Sequence, residues 1–274
     1  MDIYIPDSLD RDQALARTTH LGIGAHQDDL EFMAMDGILK CFQKKDQWFA
    51  GITCTNGAGS ARSGAYAEFT DEEMVLCRQQ EQRTAADIGQ YAYMSQLMLP
   101  SSAVKSNNDE FVSSLAKLIE DSQAEVIYTH NPADKHATHI GVFAGVLKAI
   151  RSLPADKRPK QLIGCEVWRN LDWLDDDKKV VMDLTAHQNL AAALNGVFDS
   201  QISGGKRYDL AVQGRRAANA TFFDSHSTDD AESIAFGIDL SALISDESID
   251  PKTYIASLIN DFKNDVDDAL SNFF

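Results

Sequence analysis

The sequence predicts an α/β protein with a Rossmann-like, mostly parallel sheet and helices on both faces. Short apolar runs alternate with amphipathic stretches of helical length through the first half of the chain, as in parallel sheets. The chain has 274 residues, of which 44% are hydrophobic and 24% are charged, which is enough for a sizeable core. No apolar run approaches the roughly 20 residues that a transmembrane helix requires.

The individual elements follow in order along the chain. Strands are expected where short apolar runs occur, and helices where apolar residues recur every three or four positions. The predicted strands cover residues 21–25, 49–55, 96–99, 125–128, 162–167 and 180–184. The predicted helices cover residues 30–42, 72–88, 109–119, 137–150, 189–201, 210–220 and 252–270. We expect a single domain over residues 1–274, with a core of about 18–222 and a C-terminal helical extension of about 223–274.

The charge balance and the cysteine pattern limit the expected partners and setting. Acidic residues number 42 and Lys plus Arg number 25, so the net charge is −17. Such a surface repels phosphate backbones and anionic lipids, so neither nucleic acid nor a membrane is an expected partner. The four cysteines form no C-x-x-C pair, and the N-terminal segment has no secretory signal pattern. We expect a cytoplasmic protein with a small-molecule substrate, and the sequence leaves a homo-oligomer open.

Two clusters of histidine and aspartate follow predicted strands, at residues 26–29 and 130–139. Ligands of parallel sheets bind beyond the carboxyl ends of the strands, so the two clusters are expected at one edge of the sheet. One alternative is a dinucleotide-binding turn, because Gly22 and Gly24 follow the G-x-G spacing. The third glycine of that pattern would fall at Gln27, and two aspartates follow where a pyrophosphate would approach. This alternative is therefore disfavoured.

A metal site suits these clusters better. His26 and Asp29 are separated by two residues at a strand-to-helix turn, which can bring an imidazole and a carboxylate to one ion. His136 and His139 share one face of the following helix, and either can supply a second nitrogen. Two nitrogens and one carboxylate form a recurrent catalytic zinc set. The alternative is that the aspartates cap the two helices and the histidines are incidental polar neighbours.

The two motifs resemble those of the PIG-L/LmbE-like family of metal-dependent N-deacetylases. The first motif of that family is Ala-His-Pro-Asp-Asp followed by Glu, and residues 25–31 read Ala-His-Gln-Asp-Asp-Leu-Glu. The second, His-Pro-Asp-His, is matched by His-Ala-Thr-His at residues 136–139. With weaker similarities elsewhere, the resemblance covers about residues 22–222.

The resemblance implies a role for five residues. His26, Asp29 and His139 would bind zinc, with iron or manganese as other occupants of such a set. Asp28 would be the general base that takes a proton from the attacking water. His136, acting in its protonated form, would stabilise the oxyanion or protonate the leaving amine.

Two departures from the family pattern lie beside these residues. Gln27 stands in place of proline, so we expect a looser turn. Thr138 stands in place of an aspartate that pairs with the catalytic histidine, and Asp134 is expected to take over that pairing. In the loop at residues 56–64, Arg62 is a candidate for binding a sugar hydroxyl or a phosphate of the substrate.

The sequence thus predicts a zinc-dependent hydrolase that removes an N-acetyl or other N-acyl group from an amino-sugar substrate, such as an N-acetylglucosamine derivative. One alternative is an amidase for another N-acyl or conjugated substrate. The other is a binding protein that keeps the fold without catalysis.

Overall fold

The computed structural model describes residues 1–274, and one eight-stranded sheet forms its centre. The strands are β1 (Asp2–Tyr4), β2 (His20–Gly24), β3 (Phe49–Thr55), β4 (Met94–Leu99), β5 (Val126–His130), β6 (Gln161–Cys165), β7 (Lys179–Asp183) and β8 (Ile234–Asp239). Their order across the sheet is β1-β4-β3-β2-β5-β6-β8-β7. The five strands from β4 to β6 run parallel, whereas β1, β8 and β7 pair antiparallel at the two edges. The predicted α/β class with a mostly parallel sheet is confirmed.

Twelve α-helices accompany the sheet. They are α1 (Arg11–Ala16), α2 (Asp29–Met33), α3 (Met35–Cys41), α4 (Asp71–Gly89), α5 (Ser101–Ser106), α6 (Asp109–Ser122), α7 (Ala137–Ser152), α8 (Gln188–Gly196), α9 (Asp199–Ile202), α10 (Tyr208–Phe222), α11 (Ser241–Ser245) and α12 (Pro251–Ser271). Capping residues in the sequence mark where several of these helices begin. Thr70 and Glu73 form a capping box at the start of α4, and the Asn108 side chain accepts a hydrogen bond from Phe111 N at the start of α6.

The C-terminal part of the chain differs from the prediction. Strand β8 lies inside the segment that was expected to be a helical extension, and it enters the sheet between β6 and β7. Its residues Ile234–Ile238 are buried, which is the signature of an internal strand. The final helix α12 follows the prediction but buries only Ile255 and Leu258. No helix in the structure combines the length and the apolar character needed to span a membrane.

The glycines of β2 allow helix α2 to lie close against the sheet. A Cβ atom at Gly24 would lie 2.9 Å from Cβ of Asp29, and one at Gly22 would lie 2.8 Å from the Phe49 ring. Both glycines lie within the strand, so they serve the packing of α2 and do not form a phosphate-binding turn. The dinucleotide alternative therefore has no support in the structure.

The order of the strands determines where a ligand can bind. Strand β2 lies between β3 and β5. After β3 the chain continues to β4 on one side of β2, and after β5 it continues to β6 on the other side. In open α/β sheets the crevice at such a switch point, beyond the carboxyl ends of the strands, is the usual ligand site. The segments that follow β2 and β5 carry the two histidine and aspartate clusters, so both meet in this crevice.

Candidate active site

His26, Asp29 and His139 meet at the switch point with their donor atoms facing one another. His26 Nδ1 lies 3.2 Å from Asp29 Oδ2 and 3.3 Å from His139 Nε2, and His139 Nε2 lies 3.5 Å from Asp29 Oδ1. Ligands bound tetrahedrally at zinc distances of 2.0–2.1 Å are separated from one another by about 3.3 Å. His26 Nδ1 and His139 Nε2 therefore lie at the spacing of two zinc ligands, and each faces a different oxygen of the Asp29 carboxylate.

The turn after β2 places the two aspartates in different surroundings. Asp28 adopts a φ of 106°, a conformation that is rare for residues other than glycine and is associated with functional turns. Asp29 turns inward, where its Oδ2 accepts a hydrogen bond from the His26 N–H at 2.6 Å. Asp28 occupies the N-cap position of α2, yet its side chain makes no capping hydrogen bond. The capping alternative therefore does not account for Asp28.

Asp134 orients the ligand candidate His139. Its Oδ2 lies 3.3 Å from His139 Nδ1 and accepts a hydrogen bond from Trp168 N–H at 3.2 Å, while Oδ1 accepts one from His136 N–H at 3.0 Å. The expectation that Asp134 pairs with the imidazole of His136 is wrong, because it contacts only the backbone of that residue. A carboxylate that accepts from Nδ1–H leaves Nε2 free to bind a metal ion.

His130 packs against His139, one of the three candidate metal ligands. Its side chain is fully buried, its ring stacks on His139 at a centroid distance of 3.8 Å, and its Nε2 accepts a hydrogen bond from Ala25 N–H at 3.0 Å. Asp29, His130 and His139 also lie close enough to share an ion. Because the lone pair of Nε2 is engaged by Ala25, His130 is suited to positioning its neighbours rather than to ligation. Burial lowers the pKa of His130 to about 4, so the ring is neutral.

The pKa values of the adjacent carboxylates of Asp28 and Asp29 are shifted in opposite directions. Burial acts to raise the pKa of both groups. The imidazoles of His139, His130 and His26 outweigh burial at Asp29 and hold its pKa well below the usual range. At Asp28 burial dominates over the nearby Arg78, and the charge of Asp29 adds to it, so the pKa of Asp28 is well above its usual range. Asp29 is thus the carboxylate kept ionised among the imidazoles.

The donor set fits a divalent metal ion. Besides the triad, the donor atoms of His26, His136 and His139 lie within 4.8 Å of one another. The buried Nδ1 of His136 has no hydrogen-bond partner in the protein, which is unusual for a polar atom in such a place. Two imidazole nitrogens and a carboxylate oxygen suit Zn²⁺, and the same set accepts Fe²⁺ or Mn²⁺.

Asp28 and His136 border a cavity of about 590 Å³ above the triad. The ring of His136 lies 5.2 Å from that of His26 and 4.6 Å from that of His139. Burial, together with these two imidazoles, lowers the pKa of His136 to about 4. The lowered pKa disfavours the protonated form that the resemblance implies for His136, whose catalytic role stays a prediction.

A buried network that the sequence indicated only weakly holds Asp28 in place. Nη2 of Arg78 lies 3.6 Å from Asp28 Oδ2, and Oε1 of Gln82 accepts a hydrogen bond from Asp28 N–H at 3.3 Å. Gln82 in turn donates to Oε1 of Glu31 at 2.9 Å, and Tyr91 donates to the same oxygen at 2.7 Å. Glu31 thus supports the turn through Gln82, and its burial raises its pKa to about 7.

Gln27 stiffens the turn where a looser one was expected. Its side chain is fully buried, and its Nε2 donates to Thr55 O at 3.0 Å and to Gln96 Oε1 at 3.1 Å. These bonds attach the turn to the ends of β3 and β4. The amide therefore compensates for the ring of the proline that the family motif carries here.

Arg62, the residue predicted to bind substrate, does not line the cavity. Its Nη2 donates to Ala58 O at 2.7 Å and to Asp71 Oδ1 at 2.5 Å, so the side chain holds the loop together. This arrangement does not favour the predicted contact of Arg62 with substrate, which stays a prediction. Other cations line the cavity instead, and they are Arg78, Lys105, Lys206, Arg207, Arg215 and Arg216. Four of them form two dibasic steps in an acidic chain, at 206–207 and 215–216, and this is their signal in the sequence.

Comparisons with known proteins agree with this fold. Residues 21–150 match the family model described as PIG-L, GlcNAc-PI de-N-acetylase. No curated protein sequence matches the chain significantly. The N,N'-diacetylchitobiose deacetylase of Pyrococcus horikoshii superposes with a TM-score of 0.65 at 14% identity, covering 88% of this chain and 89% of that chain.

Two further solved structures share the fold. The 4-carboxy-2-hydroxymuconate hydratase of Pseudomonas putida KT2440 superposes with a TM-score of 0.63 at 15% identity, covering 81% of this chain and 95% of that chain. The zinc-inhibited form of the teicoplanin deacetylase Orf2 superposes with a TM-score of 0.58 at 13% identity, covering 81% of this chain and 98% of that chain. At these identities the similarity establishes a common fold.

Proposed function

On the premise that residues 21–150 form a PIG-L family domain, we propose that this protein is a zinc-dependent hydrolase that removes the acyl group, acetyl in the simplest case, from an amino-sugar nitrogen. A single arrangement carries the proposal. His26, Asp29 and His139 form a three-donor set below a cavity whose lining includes the two remaining candidates for catalysis, Asp28 and His136.

Each group has a distinct task in this proposal. When bound, a zinc ion supplies Lewis-acid polarisation of the amide carbonyl and makes water more acidic. Asp28 accepts the proton of the water whose oxygen attacks the carbonyl carbon. The neutral His136 donates its N–H to the oxygen on which negative charge develops. The carbon–nitrogen bond then breaks, and the proton held by Asp28 passes to the leaving amine, which yields acetate and the free amino sugar.

The type of reaction needs its own argument, because a hydratase with a similar fold catalyses a reaction that breaks no amide bond. The solved structures with a similar fold include deacetylases of N,N'-diacetylchitobiose, of the A40926 pseudoaglycone and of teicoplanin. The family match and the pairing of Asp28 with a metal triad support amide hydrolysis. An amidase with another N-acyl substrate remains the second candidate within the same chemistry.

The test measures metal content and both products together. We expect about one zinc per chain by elemental analysis, and equal amounts of acetate and free amine from N-acetylglucosamine or a derivative. Chelation should abolish both products, and added Zn²⁺ should restore them. Full zinc occupancy without either product from a panel of N-acylated sugars would reject the proposal in favour of a binding protein.

The cytoplasm remains part of the proposal as the setting. All four cysteines are free, and three of them are buried, which suits a reducing compartment.

A further inference from the structure

We propose that strand β7 is the contact between two copies of this chain, which join their sheets edge to edge about a two-fold axis. Strand β7 (Lys179–Asp183) pairs with β8 alone, so its other side is an open edge of the sheet. The occupant of that edge is the β7 strand of a second copy, in antiparallel pairing. The inference concerns assembly and does not depend on the proposed function.

Every second residue of β7 turns its backbone away from the sheet. Leu184 N–H donates to Ser233 O at 2.8 Å, and the register of β7 against β8 continues from there without a shift. Hydrogen-bonded and non-bonded pairs alternate in antiparallel sheets, so Val180 and Met182 are the residues of β7 that bond to β8. The backbone groups of the remaining residues point outward, and these residues are Lys179, Val181 and Asp183.

Strand β7 lacks the features that usually protect an edge, which are shortness, proline, a bulge or a charged side chain lying across it. It has five residues with no proline and no bulge, and Val181 is 42% exposed. Its lysine is turned inward, since the ammonium of Lys179 lies 2.7 Å from Asp176 Oδ1 and 4.7 Å from the centre of the Phe236 ring. The opposite edge is different, because β1 has only three residues and Pro6 follows it closely.

The sequence of β7 is complementary to itself in one register. When two copies pair with Val181 at the two-fold axis, Lys179 of each copy lies opposite Asp183 of the other, and Val180 lies opposite Met182. The outward-facing residues of one copy then all meet outward-facing residues of the other. A shift by two residues in either direction breaks this match and places a charged residue opposite Val181. Opposite charges directly across two strands stabilise the pair, whereas like charges destabilise it.

The pairing gives partners to backbone and side-chain groups that lack them in one chain. Val181 N–H of each copy donates to Val181 O of the other, and Asp183 N–H donates to Lys179 O of the other. The N–H of Lys179 takes no part, because it donates to Asp176 O at the end of the preceding 3₁₀ turn. The exposed carboxylate of Asp183 accepts from Thr185 N–H at 2.9 Å and forms no ion pair in its own chain. Lys179 of the second copy brings a positive charge to it.

The size and charge of this contact predict a dimer that dissociates on dilution. A contact confined to one five-residue strand from each copy belongs with small interfaces, below about 1,200 Å². Two chains of net charge −17 also repel each other, and salt screens this repulsion. We expect a Kd on the order of 10 μM at raised salt.

Sedimentation equilibrium of the full chain over a dilution series at raised salt tests the assembly. We expect a reversible monomer–dimer equilibrium, and a chain that stays monomeric throughout the series overturns the inference. Hydrogen exchange measured by mass spectrometry locates the contact. Exchange in the peptide covering residues 179–184 should slow as concentration rises, because the N–H groups of Val181 and Asp183 become bonded. Strand β8, which is paired on both sides in either state, should not change.

Val181→Pro tests the backbone pairing. It removes an N–H that points outward and leaves the bonds to β8 in place, as prolines on edge strands do. We expect the Kd of the dimer to rise by about tenfold or more. Val181→Thr is the matched control, because it keeps the N–H and a branched side chain suited to strands, so its Kd should stay within about threefold of the wild type. Loss of the dimer in both variants, or in neither, overturns the pairing.

Asp183→Lys tests the register and decides the matter if Val181→Pro does not fold. It places two lysines opposite each other at both ends of the paired strands, so the Kd should again rise by about tenfold or more. Asp156→Lys is its control, because it makes the same change of charge at an exposed residue in the turn before β6. An equal effect of the two substitutions overturns the register.

Helix α12 offers the rival surface, and the same assay separates it from β7. Its residues Ile259, Phe262 and Val266 are 45%, 39% and 39% exposed along one side of the helix. Phe262→Ser should leave the Kd unchanged. A dimer that Phe262→Ser abolishes and Asp183→Lys leaves intact assigns the contact to α12 and overturns the inference.

Discussion

The substitution Asp134→Asn measures how much the buried carboxylate of Asp134 contributes to stability and to zinc binding through its contact with His139. The fully buried side chain of Asp134 faces three donors, which are His136 N–H at 3.0 Å, Trp168 N–H at 3.2 Å and His139 Nδ1 at 3.3 Å. Asparagine has one oxygen, so at least one donor must face its NH₂ group. A buried donor without a partner costs about 1–3 kcal/mol, and we expect the metal-free variant to lose that much free energy of unfolding.

The orientation of the new amide determines the effect on zinc. In the less costly orientation, its oxygen keeps the contacts with His139 and Trp168, and its nitrogen faces the His136 N–H. His139 then keeps a weaker, neutral acceptor, so we expect zinc affinity to fall by about tenfold, the lower end of the usual 10–100-fold range. Asp134→Ala leaves all three donors without a partner. It should therefore lose more stability and more zinc affinity than Asp134→Asn.

Two assays measure these effects. Urea unfolding in the presence of a chelator gives the stability of the metal-free protein, and competition with a chromogenic chelator gives zinc affinity. Asp177→Asn is the control, since its side chain is 76% exposed and contacts only Lys178, at 3.6 Å. If folded Asp134→Asn binds zinc within twofold of the wild type, Asp134 does not orient a metal ligand and the reasoning fails.

Three further predictions concern the residues of the centre. His26→Ala, Asp29→Ala and His139→Ala should each lose most bound zinc in elemental analysis, because two ligands hold the ion poorly; full occupancy in any of them removes that residue from the set. His136→Ala should keep zinc while turnover falls by about 10²–10⁴-fold, and loss of the metal would instead make His136 a ligand. Asp28→Asn should keep zinc and nearly all of its stability, because Asn tolerates the positive φ at this position. The variant should nevertheless lose most turnover, and near-wild-type rates would exclude Asp28 as the base.

The sequence was informative wherever the signal was local. The alternation of apolar runs and amphipathic stretches predicts a parallel sheet, because each strand and helix displays its own periodicity. Short motifs also predict which chemistry follows each strand, as with His26 and Asp29 after β2 and His139 after β5. The missed strand β8 had such a signal too, since residues 234–238 read Ile-Ala-Phe-Gly-Ile.

Tertiary structure decided which atoms of those residues face one another. Asp134 lies two residues before His136, yet it contacts the ring of His139 and the backbone of Trp168, because side-chain direction depends on how the loop folds over β6. Arg62 is drawn to Asp71 and away from the cavity for the same reason.

The sequence by itself determined that this chain folds around a parallel sheet and carries histidines and aspartates after neighbouring strands, because periodicity and motif spacing are properties of short segments. The cationic lining of the cavity was beyond its reach. Lys206, Arg215 and Arg216 become one surface only when α10 packs beside the ends of strands far away in the chain. Such packing is fixed by the burial of the whole core, and no short segment records it.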